Sequence, residues 1–202
     1  MDNNTPPLKG LVILTFTGWS VFALGIIYAL ITTIGLITIN LPGEPIGQPY
    51  FTAMELLILV IAPLMAVTMA GIYYCAGARN KVLSLAATGC MFIMAGITCC
   101  VHFLILTFYG NVTAAYKWVF LFRWPSVVYV LDIVAWDWFF PLAMFFGAPL
   151  YRGGRLENTI RWLMITAGLL SLAGLLGMPT GNMQLRNIGI IGYGVLGPVI
   201  FY

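Results

Sequence analysis

The chain is short of charge. Only 7% of its 202 residues are Asp, Glu, Lys or Arg, against about a quarter in soluble domains. So few charges cannot cover a water-facing surface, which excludes an ordinary soluble domain. Histidine is nearly absent too: His102 stands alone, which excludes a haem held by two axial histidines. No HxxxH or ExxH spacing occurs, so no metal site is expected. The four cysteines (Cys75, Cys90, Cys99 and Cys100) show no CxxC spacing and fall in apolar runs. They read as small buried hydrophobes rather than as a redox or zinc motif. GxSxG, P-loop, GxGxxG and DDxxD patterns are all missing, so no cofactor is expected. The net charge of +3 is small and carries no nucleic-acid signal.

What the chain has is oil. Hydrophobic residues make up 61% of it, and its mean hydropathy is +1.00. A bilayer core of about 30 Å needs about 20 apolar residues in helix. Six stretches qualify, roughly 10–38, 52–76, 82–109, 126–150, 159–178 and 185–202. The expected fold class is all-α: one polytopic membrane domain over 1–202, with six transmembrane helices in a single bundle. The opening "MDNNTPPLKG" lacks a basic n-region, and the apolar run after it is too long for a signal peptide. The first segment is therefore expected to remain as a span.

Lysine and arginine set the orientation. Alternating spans put Lys9, Arg79, Lys81, Arg152, Arg155 and Arg161 on one side, and Lys117, Arg123 and Arg186 on the other. That bias predicts cytoplasmic N- and C-termini, in a multi-pass protein of a prokaryotic plasma membrane. The outer loop "KWVFLFRWP" then places Trp118 and Trp124 at headgroup level. A sequon, Asn111-Val112-Thr113, lies in the same loop and matters only in a eukaryotic source.

Residues 63–80 align without gaps to residues 141–158, and the same offset brings Ala95-Gly96 onto Ala173-Gly174. Shared apolar composition accounts for much of this. Parallel repeats of the kind found in transporters are the other account. In the last stretch Gly189, Gly192, Gly194 and Gly197 remove side-chain bulk. They predict close helix packing, with a hinge near Pro198 as the alternative. The chain stops in apolar sequence, which leaves room for a partner or a missing continuation.

Ionisable groups in a bilayer are costly, so each is a candidate site. Glu55, His102, Asp132, Asp137 and Arg186 come from four stretches. At 1.5 Å per residue Glu55 lies about one turn below the outer surface, His102 about 10 Å, Asp132 about 9 Å and Asp137 about 16 Å. The inner half offers hydroxyls instead: Thr15, Thr17, Ser20 and Ser84. Asp132 and Asp137 stand about 140° apart on an α-helix, so they are not expected to share one narrow groove. Pro141 frees the carbonyl of Asp137, and Pro63 frees that of Leu59. Two kinked helices beside these acids predict a cavity. Trp136 and Trp138 lie too deep for an interface belt and could line it. The opposing account is purely architectural, with Asp132 paired to Arg186 and Glu55 to His102 to hold the helices in register. Met65, Met69, Met91 and Met94 read as core filler.

Three functions remain open. The first is a binder or carrier of a small apolar or lipid-like molecule, with Glu55, His102, Asp132, Trp136, Asp137, Trp138 and Arg186 as ligand-binding residues. The second is a non-catalytic subunit of a larger membrane complex. The third is an acid–base enzyme of isomerase or cyclase type, with Asp137 as acid and His102 or Glu55 as base. The expected partners are membrane lipids, a small apolar ligand, and a second copy of the chain or a larger assembly.

Overall fold

The computed structural model describes residues 8–39, 46–108, 113 and 116–201. Every regular element among these is helical. The principal helices are α1 (Leu8–Ile37), α2 (Tyr50–Cys75), α3 (Lys81–Phe108), α4 (Val127–Leu150), α5 (Arg155–Gly174) and α6 (186–201). A short helical turn, Lys117–Phe120, precedes α4. Asn111 and Val112 of the sequon lie outside the described residues.

Among the described residues, five helices are long and apolar enough to cross a membrane, α5 being counted with its continuation to Thr180. The last helix is shorter, about 24 Å at 1.5 Å per residue. Local chemistry sets several ends. Lys81 Nζ donates to Tyr73 O at 2.8 Å and sits over the Tyr73 ring, capping the last carbonyls of α2. The Ser126 hydroxyl accepts the Tyr129 N–H at 3.3 Å and opens α4. Gly181, at φ +68°, ends the continuation of α5.

Each helix packs on the next in sequence, and α6 returns to α1, closing a ring of antiparallel neighbours. The closure depends on glycine. A Cβ at Gly25 would lie 2.6 Å from the Pro198 ring, and one at Gly18 would strike the Phe201 carbonyl. Without side chains there, α1 and α6 can touch backbone to backbone. The interior is filled by Met65, Met69, Met91, Met94, Met144 and Met164 around Phe140, so the methionines do serve as core filler. The outward faces show Val12, Phe16, Leu30, Phe92, Phe103 and Trp162, a surface that lipid tails solvate better than water. The cysteines differ from expectation. None is fully buried, and Cys100 is exposed on this apolar face.

The prolines behave unequally. Helix α2 runs unbroken through Pro63, and Cys99 Sγ lies 4.0 Å from the freed Leu59 carbonyl. Helix α4 instead widens to a π-turn over Val134–Phe139, where the Phe140 N–H bonds to Ala135 O. Helix α6 does the same over Ile191–Leu196, with Gly197 N–H bonded to Gly192 O. In both helices a proline, Pro141 or Pro198, follows the last π residue by two positions. Lacking an N–H, each proline cannot continue the α-type ladder of the turn before it. The kink expected in α2 is thus absent as a break in the helix, and a departure from α geometry near Pro198 is present.

Candidate functional site

Glu55, His102, Asp132, Asp137 and Arg186, the buried ionisable side chains singled out in the sequence, meet in one continuous chain. His102 Nδ1, on α3, lies 2.6 Å from Glu55 Oε2 on α2 and donates to it. The other ring nitrogen, Nε2, lies 3.4 Å from Asp132 Oδ1 on α4. Asp132 Oδ2 accepts from Arg186 Nη2 at 2.5 Å. Arg186 Nε donates to Asp137 Oδ2 at 3.2 Å. The guanidinium also lies 4.6 Å from the centre of the Tyr129 ring, at cation–π distance. None of the five residues is more than 6% exposed. The set holds three carboxyl groups against one guanidinium and one imidazole; with all three ionised, even a charged imidazole leaves one negative charge in surplus.

Both aspartates therefore reach the same cation, contrary to the separation that α geometry predicts. The reason is the π-turn between them. Residues five apart are brought almost one above the other when the turn closes with i→i+5 bonds. The two pairings weighed as architecture, Asp132 with Arg186 and Glu55 with His102, both form. They form as neighbouring links of one network rather than as two separate clamps.

Asp137 sits behind Arg186, fully buried. A Cβ at Gly174 of α5 would lie 2.7 Å from its Oδ1, and one at Gly189 of α6 would be closer still. The carboxyl occupies a notch that only glycine leaves open. Neither Asp137 Oδ1 nor the nearby helix's Ser171 Oγ has a hydrogen-bond partner among the described residues.

In front of Arg186 lies a cavity of about 300 Å³. Glu55, His102, Asp132 and Arg186 line its polar end, together with Tyr28 and Tyr193. Val21, Ile58, Ile61, Met65 and Pro198 line the rest. Along α2 the lining runs from Phe51 to Met65, about 21 Å of helix. Trp136 forms one wall, its ring 5.0 Å from that of Tyr193. The two rings stand on the π-turns of α4 and α6, so the widened turns shape this wall.

Not every candidate reaches the cavity. Glu55, His102, Asp132, Trp136 and Arg186 line it, but Asp137 and Trp138 do not. Trp138 is 49% exposed on the outer side of α4, because residues two apart point to nearly opposite sides of a helix. Tyr28, Tyr129 and Tyr193 were passed over in the sequence. Tyr193 had a signal, standing between two glycines in an otherwise aliphatic run. No group of His, Cys, Asp and Glu among the described residues is arranged to hold a metal ion.

Two kinds of chemistry suit this arrangement. The polar end can hold the head of a molecule whose remainder lies in the apolar slot. His102, gripped between two carboxylates, can pass a proton between them. No family model matches the chain, and no curated protein or solved structure matches it.

Proposed function

We propose that the protein binds or carries a small amphiphilic or lipid-like molecule in this cavity, with its polar part on the Glu55–His102–Asp132–Arg186 chain. The observation that carries the reading is the make-up of the cavity: about 300 Å³, mostly apolar in its lining, with a cluster of buried charged side chains on its wall. Binding sites are usually concave and mostly apolar, with a few convergent polar groups. Charges buried in a bilayer protein are retained at a cost that a purely structural role could avoid with apolar packing.

In this reading the chain makes six spans with both termini cytoplasmic. Lys9, Arg79, Lys81, Arg152, Arg155 and Arg161 belong to one end of the bundle, and Arg186 is buried in the network instead of adding to the other end. The surface bias is then six against two, Lys117 and Arg123. The polar end of the cavity faces outward.

Native mass spectrometry of the protein, gently extracted from its own membrane, tests the reading. A bound small molecule is expected in the wild-type chain and not in Gly194→Leu. Gly194 lines the cavity, and a Cβ there meets only Ile190 Cγ2, at an ordinary 3.5 Å. Retention of the same molecule by Gly194→Leu, or a bare wild-type chain, counts against it. One observation favours a second reading, acid–base catalysis: His102 stands between two carboxylates on the cavity wall. Conversion of a bound apolar molecule to a new product, abolished by His102→Gln while binding persists, would select the enzyme over the carrier.

A further inference from the structure

The cavity's polar end says more about its occupant than that it is amphiphilic. This step rests on the reading of the cavity as a binding site. Three carboxyl groups share one guanidinium and one imidazole, so the network carries surplus negative charge when all three are ionised. Surplus charge in a low-dielectric interior is costly. The guanidinium is already engaged by two carboxylates and a tyrosine face, which leaves little to attract an anionic head.

Three polar atoms in the network lack a hydrogen-bond partner among the described residues, His102 Nε2, Asp132 Oδ1 and Asp137 Oδ1, and the first two face each other beside the cavity. His102 and Asp132 are only 6% and 5% exposed, and both line the cavity. Asp132 Oδ1 is an acceptor. With Nδ1–H given to Glu55, Nε2 of a neutral ring is an acceptor as well. The two atoms stand 3.4 Å apart, each buried against the other, and a head group that enters between them must bring donors to both. An ammonium supplies three donors and one positive charge. A hydroxyl supplies one donor and no charge. A carboxylate or phosphate supplies only acceptors and adds to the surplus. Trp136 and Tyr193 present aromatic surface beside this position, and aromatic faces attract cations.

We infer that the cavity selects a lipophilic monocation, an apolar molecule ending in a protonated amine, seated against His102 and Asp132.

Three probes of equal length separate the possibilities: ω-bromodecylamine, ω-bromodecanol and ω-bromodecanoate. Bromine quenches tryptophan fluorescence at close range, and Trp136 reports from the cavity wall. The full chain in mild detergent is titrated with each probe at neutral pH, and the signal is the saturable quenching that Trp136→Phe removes. The amine is expected to half-saturate at a concentration roughly tenfold or more below the other two. Asp132→Asn should raise that concentration roughly tenfold and leave the alcohol unchanged. Glu55→Gln, which keeps the Arg186 pairs, should weaken the amine in the same direction if Asp132→Asn does not fold. Trp136-dependent binding in which the alcohol or carboxylate equals or exceeds the amine overturns the cation and leaves the binding site standing. Absence of Trp136-dependent saturation by all three probes overturns the site itself.

Discussion

At the end of the bundle that carries Lys9, Arg79 and Lys81, the Lys81 ammonium caps α2 and the side-chain contacts deeper between the helices are made by hydroxyls. Thr68 Oγ1 and Thr17 Oγ1 lie 2.8 Å apart between α2 and α1. Thr88 Oγ1, on α3, lies 3.0 Å from Met69 O on α2. At the opposite end the contacts are ionic and join four helices through five side chains. The two ends differ in what happens when a contact is lost. Each threonine also reaches a carbonyl one turn back on its own helix, such as Ile13 O for Thr17 and Leu64 O for Thr68. A hydroxyl that loses its neighbour keeps a partner. Without Arg186, Asp137 keeps no partner among the described residues, and Asp132 keeps only the His102 ring at 3.4 Å. The hydroxyl end is held by contacts that can be spared, whereas the ionic end is a single unit, and it is the end where the cavity lies.

The largest effect that tests this contrast is removal of the shared cation. Arg186→Met leaves Asp137 buried without a counter-charge and Asp132 with only the His102 ring, and the expected loss is about 3–5 kcal/mol. It would be read as a fall in unfolding midpoint in detergent, or as failure to accumulate in membranes. Adding Asp132→Asn and Asp137→Asn to Arg186→Met should recover much of that loss, because the amides remove the stranded charges. If Arg186→Met alone costs as little as a surface change, the ionic end is not a unit.

A middle effect concerns the notch behind the arginine. Gly189→Val places a Cβ against Asp137 Oδ1 and 3.4 Å from the Gly174 backbone. Overpacking of this kind costs about 1–3 kcal/mol. Gly194→Ala, with ordinary space at its Cβ, is the control on the same helix and should stay within about 1 kcal/mol. Equal effects at the two glycines would mean that α6 responds to lost helix flexibility in general and not to crowding of Asp137.

Much of this contrast was legible in the residues. Apolar runs located the helices, because nothing else in a chain so poor in charge can satisfy a buried backbone. The scarcity of ionisable groups made the pairings readable as well. Asp132 with Arg186 and Glu55 with His102 were among few combinations able to neutralise one another at similar depths. The angular arrangement was hidden. Rotating by 100° per residue separates Asp132 from Asp137, but those residues lie across a π-turn, and no residue in "VAWDWF" announces one. The prolines were an ambiguous guide. Pro141 and Pro198 follow π-turns, whereas Pro63 sits in regular α-helix with a thiol beside the carbonyl it frees. The same hidden turn left Asp137 behind Arg186 instead of in the cavity. Gly174 and Gly189 read as generic small residues until the carboxyl between them was placed.

The smallest effect belongs to the hydroxyl end. Thr68→Val keeps the shape of the side chain and removes only the oxygen. Thr17 retains its 2.8 Å bond to Ile13 O, so no buried polar group is stranded. Hydrogen bonds between membrane helices average about 0.6 kcal/mol, with about 1.7 kcal/mol near the top of the range. Thr68→Val should fall at the lower figure and leave probe binding in the cavity unchanged. The useful quantity is its size relative to Arg186→Met under the same unfolding conditions. A cost close to that of the arginine change would show that α1 and α2 depend on this hydroxyl pair as strongly as the far end depends on its charges. A cost near zero would show that α1 is held by apolar packing and by its glycine contacts with α6, and that the ionic network is the one polar connection the fold cannot spare.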